Sequence, residues 1–300
     1  MDNSAVRNIL ANILTEDLIF ENESMSRHTT FRAGGNASFY VTPKTEEQIV
    51  ALVKALRNIP HMFMGNGSNL LFTDKGYDGV VVQIGSKFAD ITVEGNQITA
   101  QSGALLSKVA NVAWENGLGG MEFASGIPGS LGGAVVMNAG AYGGEMKDIV
   151  VLSRCVGESG NVLEIENHEF SYRHSIFSDK NLLVLSTVLK LEPKNKDEIR
   201  AQMNELNKRR KDKQPLEYPS AGSTFKRPEG YFAGKLVEDA GLKGYSVGGA
   251  MVSEKHAGFV INYDNATATD ILNLMEYIKS EVYMRFGVEL EPEVKIVGKE

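Results

Sequence analysis

Five stretches of the chain combine residue types and spacings that suit chemistry. The first, Gly65-Asn66-Gly67-Ser68-Asn69, lies between the apolar segments His61–Met64 and Leu70-Leu71-Phe72. Two glycines around a polar residue let successive main-chain amides converge on an anion, with Ser68 and Asn69 as further donors. The same spacing also suits a tight hairpin turn. The three-glycine dinucleotide fingerprint fails, because Leu70 stands where its last glycine belongs, and a Walker loop fails for want of Gly-Lys-Ser/Thr. The second stretch is Gly126-Ile127-Pro128-Gly129-Ser130-Leu131-Gly132-Gly133, continued by Met137-Asn138-Ala139-Gly140-Ala141-Tyr142-Gly143. Glycine at this density strips side chains from one surface, so a flat ligand and its diphosphate can lie on bare backbone. A crossover between packed elements is the alternative. Two such stretches in the N-terminal half, each read as following a strand, favour a large phosphorylated cofactor.

The third stretch, Ser171-Tyr172-Arg173-His174-Ser175-Ile176-Phe177, sets an arginine among aromatic and apolar neighbours. That setting suits a carboxylate or phosphate clamp, or equally a surface arginine whose stem covers Tyr172. His168 and His174 have the wrong spacing for a zincin helix, and no metal is expected. The fourth is the basic run Lys208, Arg209, Arg210, Lys211 and Lys213. It reads as a solvated helix end favoured by the dipole, or as an anion funnel. The chain then runs through Pro215 and Pro219 to Gly222-Ser223-Thr224-Phe225-Lys226-Arg227, which puts Ser223 on a glycine hinge beside two cations. No Gly-x-Ser-x-Gly elbow or nearby histidine supports a nucleophilic role for Ser223. The fifth stretch closes the chain: Glu293 follows Pro292 into an apolar strand, either directed inward or simply exposed. Cys155, His28 and His61 read as packing residues.

The elements that must position these residues mix helices and strands. Thr45 and Gln48 form a capping box ahead of Ile49, Leu52, Val53 and Leu56, which share a helical face. Strands are expected at His61–Met64, Val80–Ile84, Ile91–Glu94, Gln97–Ala100, Val150–Val156, Val162–Ile165 and Leu182–Leu191, with a helix over Leu105–Glu115. Glu192-Pro193-Lys194-Asn195-Lys196 is polar, contains proline, and reads as a domain boundary. Beyond it, helices are expected at Asp197–Lys211, Phe232–Ala240 and Thr269–Phe286, and strands at Gly258–Asn262 and Val294–Val297. Residues 1–193 thus form one α+β portion in two lobes, about 1–85 and 86–193, and 194–300 a second α/β domain.

Composition narrows the functional classes. At 300 residues the chain fits roughly two domains, and a chain of this size buries about 75% of its unfolded surface without staples. No apolar run approaches the roughly 20 residues that span a bilayer. The N-terminus reads as an amphipathic helix rather than a signal peptide, so a cytoplasmic protein is expected. One cysteine excludes an internal disulfide framework and a cysteine-based zinc site. With 31 bases against 38 acids, a net charge of −7, a nucleic-acid partner is not expected and small molecules are.

Taken in order, Gly65–Phe72, Gly126–Gly143, Tyr172–Phe177, Gly222–Pro228, Gly234-Lys235-Leu236-Val237-Glu238-Asp239-Ala240-Gly241-Leu242-Lys243-Gly244 and Glu291–Val294 resemble the UDP-N-acetylenolpyruvoylglucosamine reductases, the MurB family of bacterial cell-wall synthesis. The resemblance covers nearly the whole chain. It implies an FAD-binding portion of the vanillyl-alcohol-oxidase (PCMH) type, with a separate α/β substrate-binding domain. Its last strand, about 288–300, would return to the active-site cleft. It also implies non-covalent FAD, held by Gly65, Asn66, Gly67, Ser68, Asn69, Leu70, Gly126, Ile127, Gly129 and Ser130, with Asn138 near the flavin. NADPH is the implied co-substrate, and the reaction reduces the enolpyruvyl ether of a UDP-sugar to a lactyl ether. The family's catalytic arginine, serine and glutamate fall on Arg173, Ser223 and Glu293; Tyr172, Lys213, Arg227, Lys255 and His256 match or approach its substrate contacts. The interval between the arginine and serine motifs is too short for the tyrosine-bearing loop of longer members, so the chain looks like the shorter class. A monomer is expected. Another FAD-linked oxidase or dehydrogenase of the same fold is the alternative, although no histidine here follows a glycine as in many flavin-tethering enzymes. A non-catalytic nucleotide-binding module is a third reading.

Overall fold

The computed structural model describes residues 2–298. The chain divides into two compact units. The first comprises Met1–Glu21, Phe39–Asn66 and Gly79–Arg209, and the second Asn22–Ser38, Gly67–Asp78 and Arg210–Glu300. The division therefore does not fall at 193/194. It falls within the helix Lys196–Lys213, and two N-terminal segments join the second unit. The physical reason lies in the supposed linker. Glu192-Pro193 pairs antiparallel with Leu118-Gly119, and the Lys194 N–H donates to the Gly117 carbonyl at 2.8 Å. The Lys194 ammonium lies 3.0 Å from the buried carboxylate of Glu122. Ile199 and Met203, just beyond, are buried in the first unit's core, which draws the front of that helix with them.

Within the first unit a five-stranded antiparallel sheet runs in the order Val162–Ile165, Val150–Val156, Leu183–Lys190, Gln97–Gln101, Ile91–Glu94. Gly95, at φ +59°, makes the two-residue turn that sets Glu94 opposite Gln97. The helices Leu106–Glu115 and Leu131–Val136 supply Leu106, Val109, Leu131 and Val135 to the same core as Ile98, Val184 and Leu189. A second core gathers Val6 and Leu10 of the helix Asn3–Ala11, Ile49 and Leu52 of Glu46–Ala55, and Val80 and Val82. There His61–Met64 runs parallel to Tyr77–Gln83, from His61 opposite Val80 to Met64 opposite Gln83. Two further strands, Ile19–Ser24 and Asn36–Val41, complete that sheet. The Thr45 hydroxyl accepts the Gln48 N–H at 3.3 Å, but Gln48 returns its carbonyl oxygen to the Lys44 N–H, one residue short of a closed box.

The second unit packs the helices Ala233–Asp239 and Ala268–Phe286 with a meander of Ser246–Val247, Ala250–Val252 and Val260–Asn262. Thr267 and Asp270 form a reciprocal capping box, and Gly287 ends the long helix in the left-handed region. Lys295–Val297 lies parallel to Leu70–Phe72. Among the described residues no helix is long and apolar enough to cross a membrane, and no cluster of three or more His, Cys, Asp or Glu could hold a metal ion.

Candidate active site

In the first unit the two glycine-rich stretches meet. A Cβ on residue 65 would stand 2.0 Å from Ser130 Oγ, so the strand end at Gly65 packs directly against the Ser130 side chain. Asn66 Nδ2 donates to the Pro128 carbonyl at 2.8 Å, and Gln83 Nε2 to the Gly65 carbonyl at 3.3 Å. The second stretch follows the 3-10 turn Glu122–Ala124 rather than a strand, and it opens the short helix Leu131–Val136. Leu131 and Gly132 donate their N–H groups to the Ala104 and Ser102 carbonyls. The N–H groups of Ser130 and Gly133 find no acceptor among the described residues. Gly133 is exposed, and a Cβ there would meet only Ser130 Oγ, at 3.7 Å. A side-chain-free surface with unspent amides at a helix start fits a diphosphate. Gly126, Ile127 and Gly129 are partly exposed along the same stretch.

The rest of the first loop belongs to the second unit, where Gly67 adopts φ +64° and its carbonyl accepts the Thr30 N–H at 3.2 Å. Asn69 is tied to the last strand: its Nδ2 donates to the Glu293 carbonyl at 3.0 Å, and its own carbonyl accepts the Lys295 N–H. Ser68 and Leu70 are partly exposed beside it.

Arg173 sits at the tip of a two-residue turn. Ser171 and His174 exchange main-chain hydrogen bonds of 3.1 and 3.3 Å around Tyr172 and Arg173. Arg173 is left-handed, at φ +57°, and its guanidinium lies 5.2 Å from the ring centroid of Tyr172, itself 55% exposed. Behind the turn, His168 is buried, stacked on Phe170, and bonded on both ring nitrogens. Its Nδ1 donates to the Glu166 carbonyl, which leaves Nε2 to accept from Ser153, and Ser153 in turn meets Thr187. Burial lowers the His168 pKa, so the ring is held neutral.

The segments that carry Ser223 and Glu293 pair through their main chains within the second unit. The Glu293 N–H donates to the Thr224 carbonyl at 2.9 Å, and the Lys226 N–H to the Glu291 carbonyl at 2.8 Å, around the bridge Phe225–Pro292. Thr224 is pinned beneath them, donating its N–H to the Gly258 carbonyl and accepting the Val260 N–H on its hydroxyl. Ser223 is exposed next to Gly222, which adopts φ +79°. The Lys226 ammonium is paired with Glu291, and the Arg227 guanidinium lies 3.9 Å over the Phe232 ring. Lys255 donates from Nζ to the Lys211 carbonyl at 2.7 Å, at the end of the basic helix. His256 accepts the Gly258 N–H on Nδ1 at 3.0 Å, so its neutral ring carries the proton on Nε2. Its pKa is lowered, chiefly by burial, with the charges of Lys243 and Lys213 adding to the shift. Of the basic run, Arg209 forms a surface ion pair with Glu205. Cys155 is fully buried, which pushes its thiol pKa up.

Two groups escaped sequence reasoning. Glu145 bonds Asn138 and Lys147, and its carboxyl pKa is held down chiefly by Lys147. Asn262 donates to the Phe31 carbonyl at 3.1 Å and accepts the Ala266 N–H at 2.7 Å. Both are short polar side chains whose partners lie off their own element, and spacing carries no signal for that.

Comparison with known proteins adds to this geometry. The profile of the UDP-N-acetylenolpyruvoylglucosamine reductase C-terminal domain matches residues 214–297, and that of an FAD binding domain matches residues 37–166. The UDP-N-acetylenolpyruvoylglucosamine reductase of Caldanaerobacter subterraneus subsp. tengcongensis is 55% identical over 294 residues, 97% of each chain. That of Clostridioides difficile is 50% identical over the whole of both. The crystal structure of the Thermus caldophilus reductase (MurB) superposes with a TM-score of 0.80 at 34% identity, covering 93% of this chain and 97% of that one. A Phl p 4 variant described as a glucose oxidase shares the fold alone, at a TM-score of 0.50 and 15% identity over 63% of this chain and 44% of its own. With relatives this similar over their full length, the chain belongs to the UDP-N-acetylenolpyruvoylglucosamine reductase family.

Proposed function

We propose that the chain reduces the enolpyruvyl ether of UDP-N-acetylglucosamine enolpyruvate to UDP-N-acetylmuramate for peptidoglycan synthesis, as an FAD-dependent oxidoreductase drawing on NADPH. The observation that carries this reading is the glycine surface at Gly65, Ser130 and Gly133, in a chain alike over its full length to the named reductases. When bound, FAD would supply the hydride chemistry that links NADPH to reduction at the terminal vinyl carbon. Gly65, Asn66, Gly126, Ile127, Gly129 and Ser130 of the first unit would hold its diphosphate, and Gly67, Ser68, Asn69 and Leu70 are the further cofactor residues that the family resemblance implies.

Hydride arrival leaves negative charge on the neighbouring carbon and its carboxylate, so a fixed cation is required there. Arg173 fits that requirement, since its planar fork matches a carboxylate and keeps its charge at any working pH. The same carbon next takes a proton, which Ser223 Oγ donates. A hydroxyl is a weak acid, but the carbanionic acceptor is strongly basic. Lys226 is engaged by Glu291, so the exposed Ser223 regains its proton from solvent. Glu293 orients the carboxylate side. Tyr172, Lys213, Arg227, Lys255 and His256 grip the sugar nucleotide. The chain works as a monomer in the cytoplasm, with no nucleic-acid partner.

A stopped-flow experiment on the purified protein tests this reading by following the flavin band with NADPH and then with the enolpyruvyl sugar nucleotide. Bleaching by the first and recovery with the second are expected. A colourless protein that gains no thermal stability with FAD overturns it. A flavin that precipitates with acid-denatured protein, or that recovers only with oxygen, points instead to an oxidase of the same fold.

A further inference from the structure

Asn138 is 2% exposed and adopts φ +42°, a left-handed backbone that asparagine tolerates better than most residues. Both of its amide hydrogens are spent inside the protein: Nδ2 donates to Glu145 Oε2 at 2.9 Å and to the Ser171 carbonyl at 3.1 Å. Its Oδ1 accepts the Lys147 N–H at 2.9 Å. The side chain therefore has no donor left for a cofactor. What it holds instead is the entry to the Arg173 turn.

The other end of that turn is fastened to the same segment, since the fully buried Ser175 donates from Oγ to the Val136 carbonyl at 2.7 Å. Glu145 is delivered to Asn138 across a tight hairpin. It pairs with Gly140, where a Cβ would stand only 2.7 Å from Glu145 Cγ. Arg173 itself carries a backbone conformation that costs an L-residue about 1–2 kcal/mol. Such a conformation persists only where its surroundings over-determine it. The negative charge of Glu145 is also felt by the Arg173 guanidinium, which contributes to holding the Glu145 carboxyl pKa down.

We propose that Asn138 is a positioning residue for Arg173: by fixing the Ser171 carbonyl and the Glu145 carboxylate together, it holds the strained turn that aims the guanidinium. This rests on the reading of Arg173 as the carboxylate clamp. The side chain acts through the turn and touches neither cofactor nor substrate.

Two variants test it. Asn138→Asp keeps the acceptor for Lys147 but loses both donors and sets a second negative charge against Glu145. Asn138→Gly tolerates the backbone conformation and deletes the side chain. Both should retain full flavin content and reduce their flavin with NADPH at the parental rate. Reoxidation by the enolpyruvyl substrate should slow by about tenfold to a hundredfold, the scale of a misaimed group. In an Arg173→Lys background the Asp substitution should add less than about twofold, because a residue acting only through Arg173 has nothing further to lose. An Asn138→Asp enzyme that reoxidises normally, while Arg173→Lys is slow, overturns the proposal and leaves the clamp intact. Flavin loss, failure to fold, or equal slowing of both half-reactions in both variants also overturns it and assigns Asn138 to the cofactor or the fold. A normal Arg173→Lys enzyme removes the clamp itself and the proposal with it.

Discussion

Ser130 Oγ lies 2.0 Å from the point a Cβ on residue 65 would occupy. Gly65→Ala must therefore turn the Ser130 hydroxyl away and press on Ser130 Cβ, 3.2 Å from the new methyl, beside the unspent Ser130 and Gly133 amides. The expected result is at least about tenfold weaker flavin retention, read as the visible-to-protein absorbance ratio after gel filtration, since one misplaced anion contact is worth about 1.5–3 kcal/mol. Adding Ser130→Ala removes the colliding oxygen and should restore part of the flavin. Full occupancy in the single variant, or no recovery in the double, would refute the steric account.

Ser223 and Arg173 should separate by half-reaction. Ser223→Ala should leave NADPH-driven flavin reduction close to normal while slowing the substrate half-reaction about a hundredfold or more, within the usual range for a general acid. Equal slowing of both halves would take Ser223 out of the proton-donor role.

Arg173 offers a sharper contrast, because its φ of +57° opposes its side chain's usefulness. Arg173→Gly should unfold at the parental temperature or slightly above it, having shed about 1 kcal/mol of backbone strain, yet be nearly inactive toward the enolpyruvyl substrate. Arg173→Lys should be severely impaired too, since an ammonium cannot form the bidentate clamp. A glycine variant that is markedly less stable would show that the guanidinium carries the fold rather than the chemistry.

What the residues disclose in advance follows from where their partners lie. Val150–Val156, the Gly95-Asn96 hairpin and the Thr267–Asp270 cap are legible because partners sit within a few residues, and the glycine cradle is legible because missing side chains leave a compositional trace. The second unit was not legible as a unit. Its segments join through pairs such as Leu70–Phe72 with Lys295–Val297 and Asn262 with Phe31, whose separation in the chain exceeds any local pattern. Glu192-Pro193 misleads for a related reason: a polar dipeptide with proline reads as linker, but at a sheet edge proline's missing N–H costs nothing. Ile19–Ser24 is half exposed without clean alternation, so period-2 reasoning passes over it. Asn138 sat in the right neighbourhood, while the destination of its amide hydrogens depends on a turn more than thirty residues away.

The buried His168 and the half-buried His256 make stability depend on pH in a definite direction. Burial lowers the pKa of both His168 and His256 below the ordinary value of 6.5, so between the folded value and 6.5 the unfolded chain binds more protons than the native one. Their contribution is complete above that ordinary value and is lost as the pH falls through it toward the folded value. Asp74 and Asp270, whose pKa values are lowered by hydrogen bonds at the head of the Ala268–Phe286 helix, act the same way at a more acidic range and leave this window to the imidazoles. Urea unfolding at steps from pH 7.5 to 5.5 should therefore show falling stability. His168→Gln should flatten the curve without removing it, because Gln can still bond Ser153 but cannot charge. The slope should flatten further when His256→Gln is added. An unchanged slope in the double variant would mean that neither ring is held neutral by the fold.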